Sequence, residues 1–337
     1  MGVGAKPLHA LSIGVIPYWN MLPFISELQK NRTTALTVRK GVPTEVNQWL
    51  QRGEIHLAPC SSVCLVTNPD HEMALPLGIA ANGAVQSVYL GLHAEHKGLF
   101  EHIVQRQKEL QQLFHEAVRC FGFDARKIAA YVWDQAKHLS NVPLSSCPAL
   151  KLSGASASGA YLTRLLYSFW FGFESNQLMA SRKYLKVYEG QRPIELVIGD
   201  EALVRRPQFY KVIDLGSAWK ELTGLPFVFA VWQSRGTCLN GWRRQILEIG
   251  ERAETRMKAE PFGYLPSPAP LDDNHRAISL PDYWKTIRYK LNAEDLKGML
   301  IFLCLVRRLM APALDSESMT KILRWQEICQ NGSVVSV

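Results

Sequence analysis

The stretch Val197–Trp232, VIGDEALVRRPQFYKVIDLGSAWKELTGLPFVFAVW, decides the fold. Its beginning completes a strand, Ile194–Ile198, that stops at the turn Gly199–Asp200. Lys211–Leu215 is a further strand, and Leu225–Trp232 (LPFVFAVW) is a strand apolar on both faces. Such a strand has no side to show to water, so it belongs in the interior of a sheet covered on both sides.

The same grammar runs through the N-terminal part. Ala10–Ile16 reads as a strand ending at Pro17, Met21–Leu28 as a short helix and Ala35–Arg39 as a second strand. Pro43–Arg52 is a helix, with Thr44 as N-cap candidate, Glu45 in the first turn and Gly53 as the stop. Ile55–Pro59 is a short buried strand, and the turn Asn82–Gly83 precedes the alternating strand Ala84–Leu92. Strand, helix, strand in repetition predicts mostly parallel sheets with helices on both faces, and ligands at the carboxyl ends of the strands.

At 337 residues the chain suits two domains of about 100 to 200 residues each. Ser87–Leu92 and Phe227–Val231 are each long enough to run from one lobe into the other, which predicts a hinge of two crossing strands. Lobe one is then 1–92 plus 229–337, and lobe two is 93–228. Lys97–Ala136 is rich in Gln, Lys, Arg and His, with Leu99, Ile103, Leu110 and Phe114 at helical spacing. It reads as one or two amphipathic helices in an insertion at about 97–147, placed on the second lobe's surface to bind a partner, form a dimer face or cap the cleft.

Composition narrows the function. An apolar fraction of 47% with 20% charged residues is that of a folded globular chain. The net charge of +8 is scattered without a basic tail or recognition module, which argues against nucleic acid and suits an anionic substrate. Seven cysteines at irregular spacing argue against a disulfide framework. Met1–Leu11 is too weakly apolar for a signal peptide, and Lys297–Met310 is apolar for only about ten residues, short of the roughly 20 that span a bilayer. The expectation is a cytoplasmic protein without a membrane partner, as a monomer or homodimer.

Several residues carry candidate chemistry. Asn20 follows a strand and Pro17, so it either presents its carboxamide to a ligand or only caps Met21–Leu28. Ser61 and Ser62 follow a strand end, where hydroxyls bind carboxylates or serve as a plain N-cap. Ser87 lies in a proposed hinge strand, and alternation alone leaves its face open. Ser153–Gly159 (SGASASG) links a strand to an apolar helix and is the anion-site candidate of the second lobe, with Ser156 and Ser158 supplying hydroxyls. No Lys follows Gly154-x4-Gly159, so it is no phosphate loop. Asp200 and Asp214 read first as groups that fix turns and helix ends, although Asp200 lies close to the cleft strands. His56, Cys60 and Cys64 start in a strand that scatters them, so no metal is expected.

Four segments, Ile13–Phe24 (IGVIPYWNMLPF), Gly41–Val63 (GVPTEVNQWLQRGEIHLAPCSSV), Gly83–Leu90 (GAVQSVYL) and Val197–Trp232, resemble the menaquinone biosynthesis proteins of the futalosine route, specifically the chorismate dehydratase branch. The resemblance implies a two-lobed α/β fold of the type II periplasmic-binding-protein kind, closing over a small dicarboxylate, and no cofactor. It implies chorismate as substrate and water elimination as reaction. Asn20 and Ser87 are then the catalytic candidates, orienting the leaving hydroxyl and the ring. Ser61, Ser62, Ser156, Ser158, Gly159 and Asp200 are the substrate-binding candidates, and the substrate's own enolpyruvyl carboxylate takes the ring proton. The family usually has S-x-T-S where this chain has Ser156, Ala157, Ser158 and Gly159, so one hydroxyl contact is missing. The competing reading is a non-catalytic or divergent small-carboxylate binder of the same fold.

Overall fold

The computed structural model describes residues 10–31, 35–139, 149–172, 184–185, 192–236, 239 and 241–310. The chain opens with β1 (Leu11–Val15), α1 (Leu22–Lys30), β2 (Leu36–Lys40), α2 (Pro43–Gln51), β3 (Leu57–Ser61), the single turn α3 (Cys64–Thr67) and β4 (Glu72–Ala81). It continues through β5 (Val88–Leu92), α4 (Lys97–Phe121), α5 (Ala125–Leu139), β6 (Leu150–Lys151), α6 (Ala157–Phe171), β7 (Tyr184–Leu185), β8 (Ile194–Ile198), α7 (Asp200–Arg205), β9 (Lys211–Asp214) and α8 (Leu215–Thr223). The last part holds β10 (Phe227–Ser234), α9 (Arg243–Ala259), α10 (Leu280–Lys285), β11 (Arg288–Lys290) and α11 (Ala293–Met310).

These strands form two sheets, one per lobe. The first has the order β11-β4-β10-β3-β1-β2 and the second β7-β6-β8-β5-β9. β10 is buried along nearly its whole length between β3 and β4, as its two apolar faces require. The sheets are not mostly parallel. β1 runs parallel to β2 and β3, and β6 to β8, but β10 is antiparallel to both its neighbours, and so is β5. The reason is topological: a strand arriving from the other lobe starts at the face where the resident strands end.

The chain crosses between sheets at residues 82–87 and 224–226. Neither crossing strand spans both lobes. Val88–Leu92 bonds wholly within the second sheet and Phe227–Val228 within the first, so both pieces lie on the other side of the divisions drawn at 92 and 229.

α11 also departs from the expected division. Leu296 and nearly every residue from Gly298 to Val306 are buried, and a helix apolar all round must be covered on all sides. It packs on β10 of the first lobe and on α5 and α6 of the second. Gly298 makes this possible, since a Cβ there would sit 2.2 Å from the Pro226 carbonyl oxygen, within the second crossing. Phe302 meets Trp219 and Phe227 edge-on at 6.0 and 4.8 Å between ring centroids. One helix therefore covers the back of both lobes.

The insertion is a helical hairpin. α4 buries Ile103, Leu110 and Phe114 and packs on α6 and α8, while α5 packs on α4 and α11. The end of the insertion at 140–147 and the tail after 310 lie outside the described residues, as do residues 1–9.

Candidate active site

Between the lobes lies a cleft with about 690 Å³ of empty volume. Its walls come from the turn after β1 (Ile16, Tyr18, Asn20, Met21), the start of α2 (Pro43, Asn47), β3 (Pro59, Ser61), the first crossing (Val85, Ser87), the loop before α6 (Ala155, Ser156), the end of β8 (Ile198, Gly199) and β10 (Phe229, Ala230). Most of these groups stand at carboxyl ends of strands, where loops are free to carry ligand contacts. None of the described lining residues comes from the α4–α5 insertion, so that hairpin does not cap the cleft.

Two turns bring Asn20 and Ser87 to this cleft. The first is pinned by the C-terminal part of lobe one: Trp284 Nε1 donates to the Trp19 carbonyl at 2.9 Å and the Tyr289 hydroxyl to the Asn20 carbonyl at 2.6 Å. The second is held by Asp214, whose carboxylate accepts from the amides of Val85 and Gln86 as well as from Ser217 at the start of α8. Gln86 has a φ of 64°, a conformation unusual for a residue with a side chain, and the Asp214 contacts on either side of it fix that turn. Burial pushes the Asp214 carboxyl above its ordinary pKa, against the pull of those amides. Asp214 thus fixes a turn and a helix end, as its sequence context suggests.

Tyr283 holds the second of these turns. It is 2% exposed, and its hydroxyl donates to Ser87 Oγ at 2.9 Å. Burial drives the pKa of this phenol upward. Asn20 Oδ1 is buried and meets no hydrogen-bond donor among the described residues. Reading the sequence missed Tyr283, Trp284 and Tyr289. The one available signal was a run of aromatic residues with polar tips, Tyr283, Trp284 and Tyr289.

The serines divide into two sets. Ser61 and Ser156 line the cleft. Ser156 caps α6, accepting from the Gly159 amide at 3.1 Å, and Ser61 Oγ accepts from the Ala157 amide across the lobe boundary at 3.2 Å. Ser62 and Ser158 are not among the lining residues. They lie fully buried behind the wall and meet each other, Oγ to Oγ, at 2.9 Å. Ser62 also donates to the Val228 carbonyl at 2.7 Å, and Ser158 accepts from the Val63 amide at 3.2 Å. Their hydroxyls close the seam between the lobes.

Gly159 lies behind the wall as well. A Cβ there would be 3.2 Å from Ile198 and 3.4 Å from Val88. Asp200 stands beside the cleft, where its carboxylate accepts from the Trp19 amide at 2.9 Å, a further bond from lobe to lobe. Burial raises its pKa to about 6, with the Trp19 amide pulling the other way. Tyr18 is pushed up by burial and then by Asp200 and Glu201. Cys60 and Cys64 are buried, and desolvation holds both thiols far above the range of a useful nucleophile, Cys64 at about 12. Among the described residues no group of His, Cys, Asp and Glu has the arrangement of a metal site, and no helix is long and apolar enough to cross a membrane.

The family described as menaquinone biosynthesis matches residues 11–109 and 137–308. The break between the two matched parts falls inside the α4–α5 hairpin. Among solved structures, the chain is similar to an ABC transporter protein from Parabacteroides distasonis, with 12% identity, 92% of this chain and 98% of that chain covered and a TM-score of 0.50. It is also similar to the periplasmic aliphatic sulphonate binding protein SsuA from Escherichia coli, at 12% identity, 96% and 100% coverage and a TM-score of 0.49. The CA3427 gene product of Candida albicans, described as having the generic periplasmic binding protein fold, gives 9% identity, 94% and 95% coverage and a TM-score of 0.47. Strand order and the antiparallel return strand agree with this fold, and the chain has the two-lobed architecture of the periplasmic binding proteins.

Proposed function

We propose, from the premise that this chain belongs to the menaquinone biosynthesis family, that it dehydrates chorismate to 3-[(1-carboxyvinyl)oxy]benzoate. The observation that supports this reading is that Asn20 and Ser87, the latter held by Tyr283, line one cleft that also meets the capped start of α6. Chorismate carries a ring hydroxyl, two carboxylates and an enolpyruvyl ether. In the reaction the C–H bond at the ether carbon and the C–O bond of the neighbouring hydroxyl break, the freed electrons complete the aromatic ring, and proton and hydroxide leave as water.

Because aromatisation drives the step, the protein has to position the ring and help the hydroxyl depart. Asn20 and Ser87 hold that hydroxyl. Ser61, Ser156 and the positive end of α6 attract a carboxylate. Ser62, Ser158 and Asp200 act at one remove, by keeping the lobes together around the substrate. No histidine or glutamate is among the described residues lining the cleft, which favours the enolpyruvyl carboxylate as proton acceptor in a site closed to water.

The test is spectroscopic. Purified protein mixed with chorismate should generate an aromatic ultraviolet spectrum, and Asn20→Ala should lower kcat by about 100-fold. If chorismate binds by calorimetry but stays unchanged, the protein is a small-carboxylate binder and the proposal fails.

A further inference from the structure

We infer that Tyr283 is the positioning residue of this site: its phenol fixes how Ser87 presents its proton beside the acceptor Asn20 Oδ1, so that this end of the cleft takes a neutral ligand hydroxyl and rejects a carboxylate. The inference rests on the reading of Asn20 and Ser87 as the groups that hold the leaving hydroxyl.

A phenol has one proton to donate. Tyr283 gives it to Ser87 Oγ. Asn20 lines the cleft, and its Oδ1, buried with no donor among the described residues, is an acceptor left for a ligand. Ser87 is the opposite case. Its oxygen receives the Tyr283 proton, so its own O–H remains to be donated, and Ser87 lines the cleft.

The site therefore presents one acceptor and one donor, the donor set by a single buried phenol. A hydroxyl satisfies both, donating to Asn20 Oδ1 and accepting from Ser87. A carboxylate has no proton for Asn20 Oδ1 and would set its lone pairs against a buried oxygen, which is costly where water is excluded. The same arrangement assists departure, because the bond from Tyr283 polarises the Ser87 hydroxyl toward the oxygen that leaves. The phenol is rigidly placed: Thr286, three residues on, donates to the Val85 carbonyl at 3.4 Å, while Trp284 and Tyr289 hold the Asn20 turn. Burial also keeps Tyr283 protonated at neutral pH, so its role as donor is fixed.

Tyr283→Phe removes one oxygen and keeps the ring. With wild-type turnover of chorismate established first, the variant should lose about 30- to 100-fold in kcat. The inhibition constant of the aromatic product, which has no ring hydroxyl, should be unchanged in the same variant. Unchanged kcat would overturn the inference, and so would an equal weakening of product binding, which marks a packing defect. Should Tyr283→Phe fail to fold, 3-fluorotyrosine at position 283 alone preserves the shape and strengthens the donor. It should raise kcat without altering product inhibition, and an unaltered kcat would overturn the inference. Absence of turnover in the wild type would instead overturn the proposed reaction, so the two failures are distinguishable.

Discussion

Replacing Ser158 by alanine separates a hydroxyl that holds the lobes together from one that holds a substrate. Ser158 Oγ is the acceptor for the Val63 amide and the partner of Ser62 Oγ, and all three residues are fully buried. In Ser158→Ala the Val63 N–H keeps no acceptor, at about 1 to 3 kcal/mol, while Ser62 retains the Val228 carbonyl. Adding about 1 kcal/mol for the lost pair of hydroxyls gives a destabilisation of about 2 to 4 kcal/mol. At about 2 °C per kcal/mol for a chain of this size, Tm should fall by about 4 to 8 °C. Ser62→Ala leaves the Val63 amide paired, so its loss should be smaller, about 1 kcal/mol. Thermal melting gives the ranking, and steady-state kinetics should show kcat and KM close to wild type for both at temperatures where they are folded. An increase in KM of about tenfold, equal to about 1.4 kcal/mol, with Tm unchanged would refute the reasoning and return Ser158 to the substrate.

Two further outcomes follow from the lobe boundary. Gly298→Ala drives a Cβ to within 2.2 Å of the Pro226 carbonyl oxygen, and since backbone cannot yield as a side chain does, it should cost about 3 kcal/mol or more in a denaturant titration. Asp200 is raised by burial to about 6, so its contribution to folding is full below the ordinary carboxylate range and is lost as pH rises toward 6. Partial exposure trims this contribution to about 1 kcal/mol. Asp200→Asn should therefore gain stability relative to wild type between about pH 4 and 6. Parallel Tm curves for the two proteins over that range would count against it.

Local chemistry made part of this molecule readable. LPFVFAVW has no polar face, and the strand it forms is indeed interior. Asn20 stands at the turn where a strand end was expected, whereas Ser87, expected inside the strand Ala84–Leu92, lies in the turn before Val88; the amphipathic spacing of Leu110 and Phe114 marked the insertion. What escaped was set by partners far away in sequence. Tyr283 is separated by 196 positions from the serine it contacts, and Tyr289 by 269 from the asparagine carbonyl it holds. Periodicity speaks only of neighbours within a few turns. Nor does a hydroxyl announce its partner: Ser61 and Ser62 are adjacent, yet one lines the cleft and the other closes the seam, because successive residues leaving a strand face opposite ways. α11 misled for a related reason, since a helix apolar all round reveals that it is covered but not by which lobe.

The seam between the lobes shows how polarity divides the work of the site. Buried polar groups are tolerated when they are paired, and Ser62, Ser158, Asp200 and Asp214 are all paired, each across an interlobe contact or onto a site turn. Such pairs hold a shape but have nothing left to give a ligand. Asn20 Oδ1 is shielded as they are and yet has no donor among the described residues, so it is an acceptor that a ligand's proton can meet. Since α11 already ties the two lobes at the back, the bonds at the front need not hold the lobes together alone. They have only to hold the Asn20 and Ser87 turns in register while a hydroxyl supplies the missing partner. Selection for that hydroxyl then rests on the exclusion of water at this end of the cleft, the same condition that favours elimination.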